Sequence, residues 1–497
     1  MVQGTASGVG KSVLVTALCR IFARQGRRVA PFKAQNMALN AAVTADGREI
    51  GRAQAAQAEA AGLEPTVDMN PILLKPEDDD CSQVVVRGRP AGRMSFRDYG
   101  RRRAEWLGVV EESLGRVRRD HDLVVIEGAG SPAEINLGED IVNMTVARLA
   151  QAPVLLVGDI DRGGVFAAFV GTLDLLAPAD RARVAGFVVN KFRGDATLLA
   201  PGFERLLART GLPVLGVVPY LEPGLVPAED SLDFEGLRSA PGPHRLDLAA
   251  VRLPRIANFD DLEPLAREPG VRVRLVTRAA EVGETDLVIL PGSKSTVADL
   301  GWLRASGLAG AILAAAERGG PVLGICGGYQ MLGRTLDDPD GVESSATTAP
   351  GLGLLPVVTT FAATKTTVRV RARVAAERGL LAGARGVELA AYEIHMGRTE
   401  AGPAPRPFMV LERGGRLAAE PDGATSANGL VVGTYLHGLF ASGPLRGALL
   451  TGLARARGVA PDPRWGASEA PSARYDRLAD AVVSAVDMAA IAKLVGL

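Results

Sequence analysis

Up to residue 235, short apolar runs rich in β-branched side chains alternate with longer stretches of helical periodicity. The runs are Val29–Phe32, Leu123–Ile126, Val154–Val157, Gly186–Val189 and Val214–Val218, each closed by polar or glycine residues. A strand buried on both faces shows no polar alternation, so the pattern predicts a parallel sheet with helices on both sides. Residues 236–247 lose the periodicity and gather Pro and Gly, as a linker does. A second strand and helix series follows, with Leu248–Val251, Val271–Val276, Leu287–Leu290 and Val322–Ile325. Between 352 and 437 the pattern changes to alternation, as in Thr367-Val368-Arg369-Val370-Arg371, which predicts an antiparallel edge. The expected organisation is an α/β domain over 1–235, a linker over 236–247, a second α/β domain over 248–445 and a C-terminal helical segment over 446–497.

Composition narrows the classes without choosing among enzymes. Apolar residues make up 47% and charged residues 23%, which suits a folded chain and not a disordered one. Lys+Arg and Asp+Glu both number 56, so no excess charge draws the chain to nucleic acid or to a membrane surface. No segment reaches the roughly 18 consecutive apolar residues that a span requires, and the N-terminus lacks a basic and apolar leader. A cytoplasmic location is therefore expected. The three cysteines, Cys19, Cys81 and Cys326, are far apart and show no metal-ligand spacing.

Gly4-Thr5-Ala6-Ser7-Gly8-Val9-Gly10-Lys11-Ser12 lies between a short apolar start and a helical pattern. Gly8 and Gly10 let main-chain N–H groups curl around phosphate, Lys11 supplies a point charge, and the Ser12 hydroxyl is suited to Mg²⁺. Gly4 stands one position earlier than the usual phosphate-loop spacing allows. An acidic residue ending a later strand should complete such a site. Glu127 after Leu123–Ile126 fits, and Asp46 is a weaker second candidate for the metal. Asn190 follows Val188-Val189 and is either an adenine contact or a turn residue. ATP and Mg²⁺ are the expected cofactors.

In the second half, Pro321-Val322-Leu323-Gly324-Ile325-Cys326-Gly327-Gly328-Tyr329-Gln330 is a strand, a cysteine between small neighbours, and a helix start. The small residues permit a sharp turn that lifts Sγ above the sheet, and the helix N-terminus stabilises negative charge there. The N–H of Gly327 is placed to meet an oxyanion, with a second donor expected from the Pro291-Gly292-Ser293 turn. A thiol nucleophile needs a base, and His437 follows the apolar run Val431-Val432-Gly433-Thr434 in the same domain. His395 is its rival there, whereas His244 falls in the linker and His121 in the first domain.

These residues resemble a known family. Gly324-Ile325-Cys326-Gly327-Gly328-Tyr329-Gln330 with the distant Tyr435-Leu436-His437-Gly438 is similar to a class I glutamine amidotransferase of the cobyrinate type. Such domains are flavodoxin-like, and the longer phosphate loop resembles the dethiobiotin-synthetase branch. Pro31-Phe32-Lys33-Ala34-Gln35-Asn36-Met37, Asp68-Met69-Asn70-Pro71, Gly128-Ala129-Gly130-Ser131-Pro132 and Asp159-Ile160-Asp161-Arg162-Gly163-Gly164 extend the likeness to the cobyric acid synthase family across nearly the whole chain.

The resemblance implies ATP-driven amidation of the b, d, e and g carboxylates of adenosylcobyrinic acid a,c-diamide with ammonia from glutamine. Glutamine and a corrinoid are then the small-molecule partners, and Asn136, Asp140 and Arg162 are candidate substrate contacts. Broader amidotransferases follow the histidine with Pro-Glu. Here Gly438-Leu439 follows, so a Cys326–His437 dyad is expected, with Glu393 as the alternative orienter of an imidazole. Cobyrinic acid a,c-diamide synthase is the alternative enzyme, expected to read Gly-Pro-Asp-Tyr where this chain has Ala34-Gln35-Asn36-Met37. A partitioning-type switch ATPase would carry a lysine where this chain has Ala6.

Overall fold

The computed structural model describes residues 1–77, 80–135, 140–222, 224–227, 244–344, 346–467 and 470–497. Two compact units emerge, and neither is continuous in sequence. The first comprises Met1–Ala38, Ile50–Glu229 and Glu469–Leu497; the second comprises Leu39–Glu49 and Asp230–Ser468.

In the first unit the strands Val2–Gly4, Val154–Asp159, Val184–Phe192 and Val214–Pro219 lie side by side in that order, all parallel. A parallel pair, Val29–Phe32 with Leu123–Ile126, meets the edge strand through a bridge from Val2 to Glu127. Side chains alternate between faces along each strand. Leu155 and Val157 therefore pack with Leu14, Leu18 and Phe22 of the helix Lys11–Arg24, while Val154 and Leu156 pack with Phe169, Leu173 and Phe187 on the other side. Both faces are apolar, which is why these strands carry no polar alternation.

The second unit repeats the design. Val271–Val276, Leu246–Val251, Leu287–Leu290, Val322–Ile325 and Val431–Thr434 form a parallel sheet in that order, with Ala424–Thr425 antiparallel at its edge. The alternating region is more than an edge. It builds a separate sheet around the long strand Val358–Val374, which pairs antiparallel with Glu388–Glu400 and with Phe408–Arg413.

The sequence-based boundaries need three corrections. The expected linker over 236–247 lies outside the described residues as far as 243, and Leu246–Val251 is already strand. The segment 446–497 is divided between the units. Its first helix, Gly443–Arg457, belongs to the second, while Pro471–Val483 and Met488–Leu494 return to the first. There Leu478, Ala479, Val482 and Ile491 are buried against the nucleotide-loop helix, and Arg20 pairs with Asp476 at 2.8 Å. Conversely, residues 39–49 leave the first unit for the second. Among the described residues no single helix is long and apolar enough to cross a membrane.

Leu478 is fully buried against the phosphate-loop helix. Leu478→Ala should therefore cost about 2–5 kcal/mol, read as a lowered denaturant midpoint. An unchanged midpoint would mean that the terminal helices do not stabilise the first unit.

Candidate active sites

The phosphate loop closes the first strand and opens the helix Lys11–Arg24. Gly10, at φ 95°, is the helix N-cap, and a Cβ there would stand 2.0 Å from the Asn190 amide nitrogen. That close approach has a purpose. Asn190 Nδ2 donates to the Val9 carbonyl at 2.8 Å, so the side chain clamps the loop from beneath. The amide is buried, and Asn190 lies within the strand Val184–Phe192, so the alternative of a turn residue is corrected.

Lys11 Nζ donates to the carbonyls of Ala6 and Gly130 at 2.9 and 3.1 Å, which ties the loop to the turn after the Leu123–Ile126 strand. Glu127 ends that strand, almost fully buried. Its Oε1 accepts from Ser12 Oγ at 2.9 Å and from Lys33 Nζ at 2.7 Å, while Oε2 accepts from Gln57 at 2.5 Å. A buried carboxylate needs such company, because an unpaired charge in a low-dielectric interior is costly. Ser12 and Glu127 thus come together as the spacing required. Lys33 and Gln57 escaped the sequence reading, although a lysine directly after an apolar strand was a usable signal.

The other candidates divide. Asp46 belongs to the second unit, in a tight turn where it accepts from Thr44 and pairs with Arg48 at 3.0 Å. Asp140 accepts from the main-chain N–H groups of Val142 and Asn143, a turn-capping duty. Asn136 lies outside the described residues. Arg162 is 77% exposed at its side chain and reaches the phosphate loop: a Cβ on Gly8 would be 4.0 Å from its Nη2. Cys19 is a core residue whose thiol is pushed up by burial and by the charge of Glu127.

In the second unit Cys326 sits at φ 53° and ψ −109°, between the strand Val322–Ile325 and the helix Gly327–Leu332. A non-glycine residue in that region is strained, and the surroundings hold it there. Its N–H donates to the Thr434 carbonyl at 2.8 Å, and Sγ contacts the Ile394 carbonyl at 3.4 Å. Gly327 permits the Pro291-Gly292-Ser293 turn to press on the elbow, since a Cβ there would be 2.8 Å from Ser293 N. Gly292 in turn abuts the imidazole of His437, 3.3 Å from the position of its would-be Cβ. The structure therefore gathers Cys326, Gly327, Gly292 and His437 into one place.

The expected dyad is corrected to a triad. His437 Nδ1 lies 2.7 Å from Asp261 Oδ2, and Asp261 Oδ1 accepts from the N–H of Gly438 at 2.7 Å. Burial opposes protonation of His437, but the charges of Asp261 and Cys326 and hydrogen bonds to both outweigh it, pushing the group up to about 10. The Tyr392 ring stacks on the imidazole with centroids 5.2 Å apart. Asp261 lies far upstream of His437 in sequence, in the turn Phe259–Leu262, where no motif marks it. Glu393 has another task. It pairs with Arg413 at 2.8 Å and with His395 at 3.3 Å, and His395 stacks on Tyr435 at 3.7 Å.

A strand-end nucleophile, a buried imidazole with its carboxylate, and a phosphate loop in a separate unit are the parts of an ATP-using glutamine amidotransferase. Residues 247–445 match the CobB/CobQ-like glutamine amidotransferase domain, and residues 1–224 match the CobQ/CobB/MinD/ParA nucleotide binding domain. The chain is 58% identical to a cobyric acid synthase of Sorangium cellulosum, over 100% of this chain and 98% of the relative. It is 56% identical to that of Pelotomaculum thermopropionicum, over 92% and 88%, and 51% identical to that of Citrobacter koseri, over 98% and 96%. The chain belongs to the cobyric acid synthase family.

If Asp261 orients His437, then Asp261→Asn keeps the shape but removes the charge that favours imidazolium and the Nδ1–H tautomer. Glutamine hydrolysis should fall by about 10²- to 10⁴-fold, measured as glutamate release under saturating glutamine. A loss of only a few-fold would reduce Asp261 to a packing residue.

Proposed function

We propose that this glutamine-dependent amide ligase converts adenosylcobyrinic acid a,c-diamide to adenosylcobyric acid by amidating the b, d, e and g carboxylates. Membership of the family supports the amidation in cobalamin biosynthesis. The bond between His437 and Asp261 beside a strained Cys326 is the observation that carries the glutamine half.

In that half, His437, made a strong base by Asp261, takes the Cys326 proton, and the resulting Sγ thiolate attacks the glutamine carboxamide. The developing oxyanion faces the N–H groups of Gly327 and of the Gly292 turn. His437 then gives the proton to the departing ammonia, leaving a thioester that water hydrolyses to glutamate. In the other half, a substrate carboxylate takes the γ-phosphoryl group of ATP and ADP leaves. Ammonia then displaces phosphate to form the amide. Lys11 and the loop N–H groups stabilise charge on the transferred group. Ser12 and Glu127 offer a hydroxyl and one carboxylate, a donor set that suits Mg²⁺ completed by phosphate oxygens and water. Bound there, the ion would neutralise phosphate charge. Arg162, exposed beside Gly8, is available to the polyanionic ligands of the same loop.

Cys326→Ala should abolish amidation from glutamine yet preserve amidation from ammonium, scored by product mass. Lys11→Ala should stop both while leaving some glutamine hydrolysis. Equal loss of both nitrogen sources in Cys326→Ala would overturn the division into two sites. Using the a,c-diamide as substrate, a mass gain of four amides tests the assignment of the carboxylates. The two histidines should also separate. His437→Ala should lower glutamine hydrolysis by about two orders of magnitude or more, whereas His395→Ala, which removes a ring stacked on Tyr435, should cost distinctly less. Electrophilic trapping of Cys326 that slows only in His395→Ala would reverse these roles.

A further inference from the structure

The segment 39–49 is drawn from within the span matched by the nucleotide-binding domain, but it folds as part of the amidotransferase unit. It is well anchored there. Lys365 and Glu49 form a buried ion pair at 2.5 Å, and Arg369 Nε donates to the Val43 carbonyl at 2.7 Å. Asn40 Oδ1 accepts from the Phe259 N–H at 3.2 Å, and the Ala41 N–H donates to Asn258 Oδ1 at 2.9 Å.

Asn258 itself is buried, at φ 52° and ψ 40°, directly ahead of the turn that carries Asp261. The Ala41 N–H can only donate, so the oxygen of the Asn258 amide must face it and the NH₂ must point the other way. That NH₂ lies 3.5 Å from His437 Nε2. A donor directed at Nε2 favours an unprotonated nitrogen at that position and so opposes the pull of Asp261 and Cys326 toward the protonated ring. Asp261 favours the proton on Nδ1 at the opposite side of the ring.

We propose that Asn258 is a positioning residue of the glutamine-hydrolysing site, holding His437 Nε2 as the proton acceptor, and that the main-chain N–H of Ala41 sets its orientation. The proposal rests on the reading of Cys326 and His437 given above. It also means that the domain matched over 247–445 is incomplete as a glutaminase without a backbone group from residue 41. The groups facing His437 are Asp261 from its turn, Cys326 from the elbow and Tyr392 from the strand Glu388–Glu400. None of them supplies a donor in the position of the Asn258 amide.

Asn258→Asp in the full chain tests this almost atom for atom. Asp tolerates the left-handed backbone, and one carboxylate oxygen still accepts from Ala41, but the atom toward Nε2 changes from donor to acceptor. The acid limb of kcat/KM for glutamine hydrolysis should move up by about one unit or more, because a carboxylate beside Nε2 adds to the groups that favour the protonated ring. At neutral pH, kcat should fall about tenfold, with KM for glutamine held. Asn258→Gly, which suits the positive φ, removes the donor without adding an acceptor, so kcat should fall with the acid limb in place. Ammonium-dependent amidation should match the wild type in both variants, showing that the chain is folded.

Identical pH profiles for the Asp and Gly variants, or an equal loss of ammonium-dependent amidation, would overturn the proposal. If Cys326→Ala abolishes glutamine hydrolysis while Asn258→Asp leaves it unaltered, only this inference fails. If Cys326→Ala still hydrolyses glutamine, the underlying reading fails first.

Discussion

Strands in a parallel sheet all run the same way, so their carboxyl ends line one edge, where helix N-termini and connecting turns meet. Both units of this chain are governed by that constraint. In the first, the edge receives the phosphate loop after Val2–Gly4, Lys33 after Val29–Phe32 and Glu127 after Leu123–Ile126. In the second it receives Asn258 and Asp261 beyond Leu246–Val251, the Gly292 turn after Leu287–Leu290, Cys326 after Val322–Ile325 and His437 beyond Val431–Thr434. Residues scattered over nearly two hundred positions become neighbours because each lies in the turn or segment past the carboxyl end of a parallel strand.

Each site also buries charge that would be costly alone. Glu127 is held by a lysine, a serine and a glutamine, and Asp261 by an imidazole and a main-chain N–H. These bonds do more than compensate desolvation. They leave few orientations open, so the reactive groups stand ready before substrate arrives, which is where preorganised sites gain their rate. The strained backbone of Cys326 serves the same end: the cost of its positive φ is carried by the packed glycines around it.

The segment 39–49 and the terminal helices show how loosely sequence order binds domain identity. A helix with a buried Leu478 and Ala479 needs an apolar partner, and the exposed face of the phosphate-loop helix provides one. The segment 39–49 is fixed instead by polar anchors, the Lys365–Glu49 pair and main-chain bonds to Asn258 and Phe259. Local periodicity is the same whichever partner an element finds.

The sequence by itself determined the strands, the phosphate loop and the cysteine elbow. Each depends on neighbours in the chain: a run of β-branched residues, glycines that admit phosphate, small residues flanking Cys326. It also singled out His437 as the candidate base, because only four histidines exist and few stand near a strand end. Tertiary structure alone decided that Asp261, and neither Glu393 nor an adjacent acid, bonds His437, that Asn190 holds the loop, and that Asp46 stands in the second unit. The physical reason is common to all three. An aspartate or asparagine in a polar turn looks alike in every sequence window, and its role is set by whichever donor or acceptor the fold brings within 3 Å, through pairings that span from 176 to 181 positions in the two hydrogen-bonded cases.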